Sequence, residues 1–160
     1  MFVTGTTDQK GDTMVVATKE VADLTAAQKK AFYASVNAAA EAAGQAAGEA
    51  AVVDQYVAVQ RANCLDDSSE IVKVWEQPFE LCGFASIQVK GANKGFGRWV
   101  VASGTGRTDS YNGGAAISVF KFGQSHARKV KYSSAYASTA TALLAEAGED
   151  ADIWVWQRLD

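Results

Sequence analysis

Twelve of the twenty-five residues from 26 to 50 are alanine and none is proline, so this part of the chain is expected to form one long helix. Asp23-Leu24-Thr25 supplies the turn that opens it, with Thr25 and Gln28 in the spacing of a capping box. Ala31, Phe32, Val36 and Ala39 recur at helical spacing, and one face then thins to Ala40, Gly44 and Gly48. Side chains this small let another backbone come close. The neighbour is either the protein's own sheet or a second subunit, which makes Gly44 and Gly48 candidate interaction residues.

On either side of this helix the period changes from helical to alternating. Residues 14–17 read as a short β-branched strand, and residues 52–60 as another, followed by a polar loop at 63–69. Residues 71–75 alternate apolar with polar side chains, as a strand with one wet face does, and Pro78 is expected to break it. Residues 79–89, 97–103 and 115–122 continue the strand pattern, and the loop at 103–114 ends on Asn112-Gly113, a hairpin signal. Ser133 and Ser134 are expected to cap a second helix carrying Tyr136, Ala140, Leu143, Leu144 and Ala147 on one face, with Gly148 ending it. A last strand at 153–157 projects Trp154 and Trp156 to one side.

This order, β-α-β-β-β-β-β-α-β, predicts the α+β class: a largely antiparallel sheet of about six to seven strands with two Ala-rich helices. Strand-helix-strand ending Val57-Ala58-Val59-Gln60-Arg61 is echoed by strand-helix-strand ending Val155-Trp156-Gln157-Arg158, the trace a duplication would leave. At 160 residues and 48% hydrophobic, the chain is long enough for a single domain over 1–160 that buries about two-thirds of its unfolded surface without staples. The first thirteen residues lack the basic start and apolar run of a signal peptide. The alanine stretch is interrupted by Glu41, Gly44, Gln45, Gly48 and Glu49, which does not suit a membrane span. A soluble, unsecreted protein is expected.

Charge is unevenly laid out. Residues 1–80 carry six Lys/Arg against twelve Asp/Glu, a balance of −6, whereas residues 81–160 carry nine against six, a balance of +3. The bias peaks where Lys90, Lys94, Arg98, Arg107, Lys121, Arg128, Lys129 and Lys131 face only Asp109, a balance of +7. Phe96, Trp99, Tyr111, Phe120 and Phe122 are interleaved there. Positive charge beside aromatic rings suits single-stranded nucleic acid, through phosphate attraction and base stacking. It suits an acidic protein surface equally well, and the first half of the same chain is one.

No chemistry stands out. Any Ser-His-Asp or Cys-His arrangement must pass through His126, the single histidine, which sits among Arg128, Lys129 and Lys131. Cys64 and Cys82, with one histidine between them and the C-terminus, make neither a closed zinc site nor a disulfide framework. Asp66-Asp67-Ser68-Ser69-Glu70 lacks the ligand spacing and glycine of an EF-hand. Gly104-Thr105-Gly106 and Gly95-Phe96-Gly97 do not follow a strand and open a helix as a phosphate-cradling loop must. Lys94-Gly95-Phe96-Gly97 resembles the start of the ribonucleoprotein motif of RNA-recognition domains, from which Arg98 and Trp99 then depart.

These observations lead to a non-enzymatic structural subunit of a symmetric assembly, with no cofactor, metal or small-molecule ligand, self-associating or binding another assembly protein. A head or decoration component of a phage virion is the particular form expected. The candidate interaction surface comprises Lys90, Lys94, Arg98, Trp99, Arg107, Tyr111, Arg128, Lys129, Lys131, Gly44 and Gly48. The alternative is a cytoplasmic single-stranded nucleic-acid or polyanion-binding module using the basic 90–131 stretch.

Overall fold

The computed structural model describes residues 20–160; the expected strand at 14–17 lies outside them. After a single 3-10 turn, Val21–Asp23, helix α1 runs over Ala26–Glu49. Its capping box forms as the sequence predicts. The Gln28 N–H donates to Thr25 Oγ1, and the Thr25 N–H donates to Gln28 Oε1 at 2.9 Å. Strands β1 (Tyr56–Arg61) and β2 (Ile71–Phe79) pair with each other as an antiparallel ribbon, and with no other strand among the described residues. Strand β3 (Gly83–Lys90), helix α2 (Gly95–Ala102), strands β4 (Arg107–Asp109) and β5 (Gly114–Ser118), helix α3 (His126–Glu146) and strand β6 (Ile153–Leu159) complete the fold. The second sheet has the order β4-β5-β3-β6, with every pair antiparallel. The expected α+β class is therefore observed, with the six strands divided two and four and a third, shorter helix.

Strands β5 and β6 flank β3 and are joined through α3, so α3 crosses one face of the sheet. That face is apolar: Ile87 and Val89 of β3, Ala115 and Ile117 of β5, and Ile153 and Val155 of β6 lie in register across it. Helix α3 answers with Leu144, Ala140, Ala137 and Tyr136, all buried. Its other side receives α1. Ala40 and Val36 are fully covered there, and Gly44 and Gly48 meet Tyr132 and Phe122. A Cβ on Gly44 would stand 2.9 Å from the Tyr132 ring and 3.0 Å from its carbonyl oxygen. The small-residue face is thus consumed inside the chain, and Gly44 and Gly48 are not free for a second subunit.

Three departures from the sequence reading have physical causes. Residues 97–103, expected as a strand, form most of α2 and its C-cap, Ser103; Phe96 and Val100 recur four apart in the helix and are both buried. The helix is secured from outside itself. Glu149 Oε1 accepts the Phe96 N–H at 2.8 Å, while Glu149 Oε2 accepts the Tyr33 hydroxyl at 2.5 Å, tying α1, α2 and the turn before β6 together. Pro78 does not break β2 but sits inside it, which a ribbon allows because both strands are edges. Helix α3 begins at His126, well before Ser133 and Ser134, because Lys129 buries its stem and donates from Nζ to the Gly83 carbonyl at 2.9 Å. Ser133 then lies mid-helix, its hydroxyl donating back to the Lys129 carbonyl at 2.9 Å. The echo between β1 and β6 also divides: β6 belongs to the body, β1 to the ribbon.

Gly44→Val is expected to overpack the helix pair and cost about 1–3 kcal/mol, whereas Ala39→Leu, on the exposed side of α1, stays within about 0.5 kcal/mol. Chemical denaturation of the two variants against the parent checks this.

Burial raises the phenols of Tyr33, Tyr132 and Tyr136 above their ordinary value of 10.0, and the Glu149 carboxylate adds to the effect at Tyr33. A raised value in the folded state favours the neutral form, so this stabilisation is complete below pH 10 and is lost as pH rises above it. Denaturation curves from about pH 8 to about pH 11 should show stability falling only at the alkaline end, with a shallower fall in a Tyr33→Phe, Tyr136→Phe double variant.

Candidate interaction surface

Nine residues of β2 span about 30 Å at about 3.3 Å per residue, and every one of them is exposed. Five of the six residues of β1 are exposed as well. A strand on the surface of a domain normally hides one face. This ribbon hides neither, and both are apolar. Val59 opposes Val74 on one side, and Ala58 opposes Trp75 on the other. Val57 and Val72 add to the apolar content, 50% and 55% exposed, and Tyr56 opposes Phe79 at the base with ring centroids 6.3 Å apart. Register shifts beside Tyr56 and Arg61 twist the pair. Two-stranded ribbons are marginal in water on their own; what holds this one at its tip is polar. Arg61 donates to the Ser69 carbonyl at 2.8 Å, and the Asp66 carboxylate caps the turn through the Ser68 N–H at 2.9 Å and its hydroxyl. Those hydrogen bonds keep the Asp66 carboxyl below its ordinary range. The acidic 66–70 cluster is thus a structured hairpin tip.

Apolar exposure continues at the start of the body. Leu81, Phe84, Trp156 and Leu159 are all exposed, and Phe84 lies between the Lys129 ammonium and the Arg158 guanidinium, each 5.5 Å from its ring. The face of the sheet opposite α3 carries Phe84, Ser86 and Gln88 in register with Arg158, Trp156 and Trp154. Gln88 is buried there, donating to Ser86 Oγ at 3.0 Å while its Oε1 has no partner among the described residues.

The basic residues expected to act together are distributed over the body. Lys94 immediately precedes α2 and Arg98 lies within it, where Arg98 and Trp99 line a hollow of about 1030 Å³ with Lys29, Lys30 and Asp150. Lys90 ends β3 and pairs with Asp152 at 3.6 Å, and Arg107 stands on the edge strand β4. Arg128 and Lys131 lie on the first two turns of α3. Lys129, counted from the sequence as surface, is buried. Trp99 is half-buried, stacking on the buried Phe96 at 5.6 Å and 12° while its remaining surface lines the hollow. Phe122 fills the space over Gly48 at a backbone φ of 68°, a strained value for a bulky residue. Of the interleaved aromatics, Tyr111 and Phe120 remain in solvent, 92% and 88% exposed. Asp109 fixes the turn below Tyr111, accepting from the Tyr111 N–H at 2.9 Å and from Asn112, contacts that hold its carboxyl below the ordinary range.

His126 is half-buried at the start of α3, and its Nε2 has no hydrogen-bond partner among the described residues. Cys64 on the hairpin tip and Cys82 beside β3 are free and exposed. Among the described residues no three His, Cys, Asp or Glu side chains cluster to hold a metal ion, and no helix is long and apolar enough to cross a membrane. Comparison with known protein families, with curated proteins and with solved structures finds no match.

Valine, tyrosine and tryptophan at alternating positions resemble ordinary sheet, so the sequence does not single out the exposed ribbon. The usable signal was that residues 71–79 carry apolar side chains at both odd and even positions, Ile71, Trp75 and Phe79 against Val72 and Val74.

Since the ribbon contributes nothing to the core, Val59→Thr with Val74→Thr should leave the stability of the unassembled chain within about 0.5 kcal/mol. Ile87→Thr, in the fully buried centre of β3, should cost about 2 kcal/mol or more. Thermal melts of dilute protein in high salt compare them.

Proposed function

We propose that this protein is a non-enzymatic structural subunit of a homomeric assembly, in which the β1–β2 ribbon of each copy is covered by a neighbouring copy. The observation that carries the reading is the ribbon itself: a projecting arm whose two faces are both apolar and both exposed. Isolated surface hydrophobics need no explanation, but a contiguous two-sided apolar arm marks an association surface. The charge layout points the same way. Residues 54–80, the ribbon and its flanks, carry two Lys/Arg against six Asp/Glu, while residues 81–160 are net positive. Identical copies can therefore meet through unlike surfaces, a heterologous contact that closes into rings or extends into lattices and shells. A virion shell or a component decorating one is the particular assembly within this class that we favour.

The nucleic-acid alternative has less support, because the cations it requires sit on separate elements of the body and, of its aromatics, Tyr111 and Phe120 alone stand fully in solvent.

Light scattering at low and high salt, with nucleic-acid absorbance followed on the same peak, tests the reading. The expected result is a discrete multimer free of nucleic acid. A chain carrying Val57→Thr, Val59→Thr, Val72→Thr and Val74→Thr is expected to run at the mass of one subunit with its fold intact. A parent protein that stays monomeric at high concentration in low salt would overturn the proposal.

A further inference from the structure

We infer that the ribbon of one copy docks by strand addition along the outer edge of β6 in the next copy, beside the basic start of α3. This rests on the assembly reading above and supplies the receptor it leaves open.

Among the described residues β6 pairs with β3 alone, and no described strand bonds to its other edge. The hydrogen bonds at its two ends fix which groups that edge presents. The Lys90 N–H donates to the Asp152 carbonyl, and the Asp160 N–H donates to the Cys82 carbonyl. In an antiparallel ladder the bonded positions alternate, so Trp154, Trp156 and Arg158 bond inward to β3. The N–H and C=O groups of Ile153, Val155, Gln157 and Leu159 point outward. Seven residues of β6 face a ribbon whose strands are six and nine residues long, so the lengths match. The surroundings match as well. The last four residues of β6 are exposed, Trp156 and Leu159 among them, with Phe84 adjacent on β3.

Electrostatics selects a second copy as the occupant. Gly83 pairs with Leu159 and packs against His126, which brings the first turns of α3 to the exposed end of β6. Arg128 and Lys131 lie on those turns and Arg158 on the strand itself, where Asp160 stands 3.9 Å from Arg158. The ribbon that would arrive carries Asp66, Asp67, Glu70 and Glu76 against Arg61 and Lys73. An acidic apolar arm thus meets a basic apolar edge, and each copy holds one of each. Exposed edge strands recruit partners in this way, with backbone pairing for affinity and flanking side chains for choice of partner.

A charge swap tests the pairing. One chain carries Asp67→Lys, Glu70→Lys and Glu76→Lys, which spare the Asp66 cap of the hairpin tip; the other carries Arg128→Glu, Lys131→Glu and Arg158→Glu. Each alone is expected to remain monomeric at low salt, where the parent assembles, and an equimolar mixture is expected to recover the parent's mass. Separately, Gln157→Pro deletes one outward N–H without touching the β3 ladder, and is expected to weaken assembly at least tenfold while far-ultraviolet circular dichroism stays unchanged. Reversed chains that assemble alone, a mixture that stays monomeric, or a folded Gln157→Pro chain that assembles like the parent would each overturn the docking mode. If the parent itself never assembles, the functional reading fails first; if it assembles and the variants make no difference, only this receptor is wrong.

Discussion

The contact between α1 and α3 is what the rest of the body depends on. Helix α1 meets the sheet only through α3 and, at its start, through α2. Its glycines at 44 and 48 let the two helices close until Tyr132 and Phe122 fill the space. With its other side on β3 and β6, α3 becomes a central rod, buried at Tyr132, Ser133, Tyr136, Ala137, Ala140 and Leu144. Close packing of this kind forfeits dispersion contacts quickly when it loosens, so the tight approach at Gly44 governs how well α3 can cover the sheet. Two polar ties fix the arrangement in register. The Tyr136 hydroxyl donates to Asn37 Oδ1 at 2.6 Å, and Glu149 joins Tyr33 to the first turn of α2.

The α1–α3 contact is built largely of alanine, glycine and tyrosine, while valine and isoleucine fill the sheet side of the core; many larger branched and aromatic side chains are left over. Those in β1 and β2 stay outside, on an arm with no body beneath it. The division places stability in the helices and the four-stranded sheet rather than in the ribbon. The polar hairpin tip at Arg61, Asp66 and Ser69 holds the exposed arm as a hairpin.

Legibility from sequence followed the range of the forces involved. Helix α1 was readable almost to the residue because alanine content, a capping box and helical spacing are local. The antiparallel sheet was readable from alternation. What failed were positions decided by distant partners. Residues 97–103 have strand-like composition and are helical because Glu149, some fifty residues away, caps them. The Lys129 region looked like a solvated loop and is the first turn of a buried helix because its ammonium reaches Gly83. Gly44 and Gly48 left open whether the neighbour was internal or external. The basic stretch was real in sequence but not in space, since its residues alternate between core, edge and helix. The two-faced apolar pattern of residues 71–79 was present and was read as a wet-faced strand, because Lys73, Glu76 and Gln77 supply enough polarity to mimic one.

Magnitudes then bear on the kind of assembly the ribbon supports. Covering the remaining exposed area of a half-exposed valine or tryptophan is worth about 1 kcal/mol, so eight such side chains give on the order of 8 kcal/mol. Association of two bodies costs an estimated 4–15 kcal/mol in lost freedom, with further loss for ordering a flexible arm. A single ribbon contact is therefore near balance. A subunit that both offers an arm and receives one gains two contacts when it enters a closed ring or lattice, and the second costs far less freedom than the first. On that arithmetic the ribbon suits many-copy assembly that forms cooperatively more than a simple dimer. The opposition between an acidic arm and the basic first turns of α3 would make its onset sensitive to salt, since exposed charges are screened over about 10 Å at 0.1 M ionic strength.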